Sequence, residues 1–187
     1  MKHEKFLNSY LPDESCKSLS TETISKYKEI APDILLSLWT NNGVGKYGNG
    51  IVEIINPEEY QMVLEMWFGK EVPNYIPFMI SGFGHLFYYR KLTVEDEDVI
   101  CLDPHYKKTF NCTWNINTFF NSFLLSDDII KTLLKKDLFI EGTEKVGKLH
   151  DGEILFFEPA LCLGGSEELK YINKGNVIIH HQLLRQM

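Results

Sequence analysis

Gly43, Gly45 and Gly48 fit the spacing G-x-G-x-x-G. That pattern cradles a dinucleotide pyrophosphate when a strand runs into the glycines and a helix leaves them. Here the order is reversed: a helical pattern precedes the glycines and a β-branched run follows. Lys46 is succeeded by Tyr47, where a phosphate loop needs Ser or Thr, and the V-A-I-K and H-R-D elements of a kinase are missing. GVGKYGNG is therefore expected to be a structural turn. Cys101, His105 and Cys112 offer thiolates and an imidazole to a soft metal, but no fourth ligand stands at a usual spacing. Two strand cysteines and a turn histidine are expected there, with no metal and no other cofactor.

His180-His181 falls in a terminal helical pattern, where one imidazole is expected to pack and the other to be solvated. Ser81-Gly82-Phe83-Gly84 lacks the preceding glycine of a nucleophile elbow. Glu58-Glu59 and Asp127-Asp128 sit at helix starts, where the helix dipole explains paired carboxylates without catalysis. Glu167-Glu168 and the acidic run Glu95–Asp98 fall in expected exposed loops. Nothing assembles an active site, and the chain is not expected to be an enzyme.

The elements that must position these residues follow from periodicity and punctuation. Glu22–Glu29 reads as a helix. Pro32 opens a second, Asp33–Asn41, in which Ile34, Leu35, Leu38 and Trp39 recur at helical spacing. Ile51–Ile55 reads as a strand. Asn56 caps the next helix, with Pro57 in its first turn and Tyr60, Val63, Leu64 and Trp67 on its buried face. Pro73 and Pro77 mark a loop. From Phe83 to Arg90 the two-residue alternation of a strand appears, and Val99–Leu102 pairs back across the acidic turn Glu95–Asp98. Lys108–Cys112 gives a third strand; Thr118–Leu124 and Asp127–Lys136, the latter capped by Ser126, give two helices. Val146–His150 and Glu153–Glu158 flank Asp151-Gly152, a dipeptide suited to a two-residue hairpin turn. Leu163-Gly164-Gly165 is a loop, and Asn176–Gln186 closes the chain as a helix. The order predicts an α+β fold: an antiparallel sheet with flanking helices, in two sequential subdomains, 1–112 and 113–187. No linker separates them, so they are expected to pack as one compact unit.

The 187 residues are 44% hydrophobic and 13% aromatic, enough for a core without disulfide staples. Nineteen basic against 26 acidic residues leave a net charge of −7. That balance speaks against nucleic-acid binding, which draws on Lys and Arg, and suits a basic protein partner. The opening MKHEKFLNSYLPDESCKSLS holds no continuous apolar run, and no stretch approaches the roughly 20 apolar residues of a membrane helix. A cytoplasmic protein without membrane contact, with its four cysteines reduced, is expected.

Ala31–Trp39 (APDILLSLW), followed by Asn42-Gly43, Gly45, Tyr47-Gly48 and Gly50, resembles the opening of the GAD-like domain. Asn56–Tyr60 with Trp67 is similar to that domain's next block, and Gly82–Arg90 (GFGHLFYYR) to its later strand. The second half resembles the C-terminal domain of type VI secretion immunity proteins that neutralise a Tde-type DNase. The residues are Phe119-Phe120, Asp127-Asp128, Gly152–Ile154, Phe156–Leu161, Leu163–Gly165 and Leu183–Gln186. The resemblance implies an antitoxin that blocks its effector by direct contact, and it brings no catalytic residues. An enzyme with a dispersed site and a general interaction module are the competing readings. For the antitoxin, the expected contact positions on a basic nuclease are Glu95, Asp96, Glu97 and Asp98, with Glu167 and Glu168.

Overall fold

The computed structural model describes residues 3–187. Six strands form one antiparallel meander in chain order: β1 (Gly45–Tyr47), β2 (Val52–Ile54), β3 (Tyr75–Ser81), β4 (Leu86–Lys91), β5 (Glu97–Asp103) and β6 (Lys108–Thr113). Alternation sends their side chains to two buried layers. Leu86 and Tyr88 of β4, with Ile100 and Leu102 of β5, face helix α4 (Pro57–Phe68) and the closing helix α8 (Val177–Gln186) through Tyr60, Val63, Leu64 and Val177. Phe87 and Tyr89, with Val99 and Cys101, face the larger core on the other side. Pro77 lies inside β3, where a loop was expected. It is tolerated because the register with β4 shifts between Pro77 and Met79, a bulge that relieves a proline of ladder bonding.

The larger core is shared by both parts of the chain. Helices α1 (Glu4–Ser9), α2 (Thr21–Tyr27) and α3 (Asp33–Ser37) precede the sheet; α3 continues as a wider turn through Leu38–Asn42. Helices α5 (Ile116–Asn121), α6 (Asp127–Thr132) and α7 (Lys136–Val146) follow it. Phe6 of α1 meets Tyr47 of β1 and Phe120 of α5, and Tyr10 Oη donates to the Leu124 carbonyl at 2.8 Å. The residues from Phe6 to Ile172 thus bury one continuous apolar cluster.

Caps expected from the sequence are present. Asn56 accepts from Glu58 N–H and Ser126 from Ile129 N–H; Asn176, expected as the first residue of the closing helix, is instead its cap and accepts from Ile179 N–H. The hairpin expected around Asp151-Gly152 is not. Asp151-Gly152 is a turn, but helix α7 occupies the chain up to Val146, and β7 (Glu153–Phe157) pairs instead with β8 (Ile172–Asn176). Helix α7 carries Gly142 against β7 and β8, where a Cβ would press on Leu155 and Ile172, and Gly147 ends it at φ +86°. The single helix expected over Asp127–Lys136 is two, broken at Leu133–Lys135, with Lys135 in the left-handed region. Among the described residues no helix is long and apolar enough to cross a membrane.

Candidate functional site

The glycine run does not frame a phosphate. Gly45–Tyr47 is edge strand β1, and Val44 bridges Lys17 of the N-terminal segment. A Cβ on Gly43, at φ +88°, would sit on the Lys17 backbone, so the glycines are there for close chain approach. Lys46 is buried and pairs with Glu53 across β1 and β2 at 2.7 Å, and it donates to the Glu153 carbonyl at 3.3 Å. Its charge is consumed in tying β1 and β2 to the second part of the chain.

At one end of β4 lies the turn that was expected to be exposed from Glu95 to Asp98. Its bonds are local: Leu92 N–H donates to the Asp96 carbonyl at 2.8 Å, and Thr93 Oγ1 accepts from the N–H groups of Glu95 and Asp96. Val94 at the tip is 91% exposed, and Leu92 is also exposed. A cleft of about 210 Å³ beside it is walled by Glu29, Pro32, Glu95 and Asp96. The expectation fails for the last two acids, because β5 already begins at Glu97. Asp98 is 1% exposed and takes a two-point bond from Arg90, Nε to Oδ1 at 2.9 Å and Nη2 to Oδ2 at 2.6 Å. Glu97 accepts from Tyr89 Oη and from Ile116 N–H, both at 2.9 Å, and so fixes the start of α5.

Glu167 and Glu168 are exposed, as expected, but their charges are shared. Glu167 pairs with Lys135 at 2.7 Å, and Glu168 with Lys170 at 3.1 Å and Ser166 at 2.8 Å. The Ser166 bond, then the Lys170 ammonium, holds the Glu168 carboxyl below its ordinary range.

At the other end of β4 the turn Gly82–His85 is buried and is gripped by distant segments. The Gly82 carbonyl accepts from Leu155 N–H of β7 at 2.7 Å, that of Phe83 from His105 Nε2 at 2.8 Å, and that of Gly84 from His181 Nε2 at 2.8 Å. Phe83 stacks on Phe157. Trp67 Nε1 donates to His181 Nδ1 at 2.9 Å, which fixes His181 as the Nε2–H tautomer. His180 stacks on Phe156 and is itself buried, so both histidines pack where one was expected in solvent. Burial lowers the pKa of His85, His105, His180 and His181; His180 lies at about 4 and His181 at about 3. These histidines were not legible as a group, because the turn before β4, the β5–β6 connection and α8 bring them together only in three dimensions.

Ser81, His85 and Asp103 approach one another but do not form a nucleophilic triad. Ser81 is 1% exposed, and its Oγ accepts His85 N–H at 3.1 Å. Among the described residues no group of three or more His, Cys, Asp or Glu is placed to hold a metal ion.

Residues 2–100 match the model of the GAD-like domain. The chain belongs to the GAD-like domain family. Residues 114–187 match that of the T6SS immunity protein Tdi1, C-terminal, so this family member carries an immunity-protein domain behind its GAD-like domain. The fold is similar to the crystal structure of Atu4351 from Agrobacterium tumefaciens. The TM-score is 0.80 at 16% sequence identity, over 98% of this chain and 88% of that one. No curated protein matches the sequence.

Proposed function

We propose that this GAD-like domain protein is a cytoplasmic antitoxin that neutralises a cognate toxin, a basic DNase, by direct stoichiometric contact and without catalysis of its own. The observation that carries this reading is the immunity-protein match over residues 114–187. The charge of −7 supplies a physical reason for a basic partner, since a nuclease must present a cationic groove to phosphate and an acidic surface can occupy it.

The contact surface we assign is the β4–β5 tip. Glu95 and Asp96 stand there exposed beside Val94, which adds apolar area that a partner can cover. Glu29 across the cleft adds to the same field. Glu167 and Glu168 form a weaker second patch, because Lys135 and Lys170 offset their charges. Glu97 and Asp98 act behind the surface by fixing the strand that carries it.

Co-expression of the chain with any toxin encoded in the neighbouring reading frame, followed by co-purification, tests the reading. Survival only in the presence of the chain, with both proteins eluting together at fixed ratio, is the expected result. Protection without a complex would overturn direct contact.

A further inference from the structure

Where β5 and β6 meet α6, the surface dips into a cavity of about 280 Å³, and of its lining only Glu167 at the rim belongs to the contact positions of the antitoxin reading. His85 and Asp103 both line it, and they are 4% and 5% exposed. His85 Nε2 stands 3.9 Å from Asp103 Oδ1, beyond hydrogen-bond distance, and among the described residues it makes no hydrogen bond.

The protonation of this pair follows from its neighbours. Ser81 Oγ accepts the His85 backbone N–H at 3.1 Å, and the other partner of the hydroxyl is His85 Nδ1 at 2.9 Å. We assign the hydroxyl hydrogen to Nδ1, so that the neutral ring carries its own hydrogen on Nε2, the nitrogen that stands toward the Asp103 carboxyl. Asp103 is held in place because Oδ1 accepts the N–H groups of His105 at 3.0 Å and Tyr106 at 3.2 Å. The cavity thus offers a fixed N–H donor beside a fixed carboxylate acceptor.

Charge and size narrow what fits. Asp103 and Glu167 are matched by Lys108 and Lys135, and burial keeps His85 and His105 neutral, so the cavity does not select an ion. Sites for drug-sized ligands span roughly 300–1,000 Å³. This one suits a smaller molecule, against the apolar wall of Phe110 and Leu133.

We propose that the cavity binds a small neutral molecule with a carbonyl oxygen beside an N–H, the edge of a carboxamide or of a pyrimidine lactam. Its carbonyl accepts from His85 Nε2–H, its N–H donates to Asp103, and its flat face lies on Phe110.

The test follows the histidine side-chain NMR signals of the full chain during titration with nicotinamide and with uracil. Acetate and guanidinium serve as charged controls. A saturating shift of the His85 Nε2–H signal with nicotinamide or uracil, and not with the ions, is expected. Thr132→Trp, at an exposed rim position, should abolish the shift while leaving the unfolding midpoint in place. Lys108→Trp, also exposed, replaces it if that variant is unstable. No shift with either amide, an equal shift with the ions, or a shift that survives the rim block would overturn the proposal. So would a crystal soaked with nicotinamide that holds only water between His85 and Asp103. No toxin enters the experiment, so its failure is separate from failure of the antitoxin reading.

Discussion

The two ends of β4 are both tight connections between neighbouring strands of one sheet, yet they are held in opposite ways. At Gly82–His85 every carbonyl from Gly82 to Gly84 accepts a bond from a distant segment, and the Phe139 and Phe157 rings pack on the turn. At Thr93–Asp96 the bonds stay within the turn, and Val94 projects into solvent. The first turn joins the two halves of the fold, so its sequence answers to packing. The second answers only to its own local bonds, which leaves its side chains available for a partner.

Acid should break the first turn with the largest effect. His180 and His181 are neutral in the fold, with pKa values of about 4 and about 3 against an ordinary 6.5, chiefly through burial. Above pH 6.5 neither costs anything. Below it the unfolded chain binds protons that the fold refuses, so stability falls as the pH drops from 6.5 toward 4 and 3. A tenfold difference in proton affinity is worth about 1.4 kcal/mol, so the two histidines together cost on the order of 5 kcal/mol by pH 4. Urea melts across that range check it. In the His181→Gln variant the slope should be shallower; an unchanged slope would show that His181 carries none of the loss.

Gly82→Ala comes next. Its Cβ would overlap the Phe139 ring, with the Gly50 carbonyl on another side. Overpacking at such a site costs about 3 kcal/mol, read as a lower denaturation midpoint at unchanged m-value; a stability equal to the parent would show that α7 can shift to make room.

The smallest effects belong to the other end of β4, where acids close in sequence should part company. Asp98→Ala strands the Arg90 guanidinium and costs about 2 kcal/mol. Glu95→Lys with Asp96→Lys should stay within about 0.5 kcal/mol of the parent in stability. The double lysine variant should nevertheless slow association with the toxin and weaken its salt dependence. Unchanged association kinetics would move the interface away from the tip.

The tip was legible as acidic and turn-forming because Glu95 and Asp96 lie within one local segment. Its boundary was not. Asp98 reads as another turn acid until the register sets it opposite Arg90 on β4. The second site was largely invisible in the sequence. Of His85, Asp103 and His105 only His105 drew attention, as a metal ligand short of a full set, and their meeting with α6 and Glu167 depends on how the halves dock.

The starts of α4 and α6 and the strand character of β4 were settled by the sequence itself, because caps and alternation act over a few residues. Asn56 and Ser126 cap as their side chains dictate, and the alternation through Tyr88 and Arg90 yields a strand in the antiparallel meander of an α+β fold. Tertiary structure alone decided the partner of β7. Asp151-Gly152 favours a hairpin locally, but Ile172–Asn176 completes the pairing from across an intervening loop, and helix α7 with Gly142 covers the result. Burial of Leu155, Phe157 and Ile172 in the shared core outweighs one turn preference, since each large side chain removed from water contributes about 1.5–3 kcal/mol. The same burial drew His180 and His181 inward together. No local pattern could have announced that, because the groups that receive His181 are Trp67 and the Gly84 carbonyl, both far away in the chain.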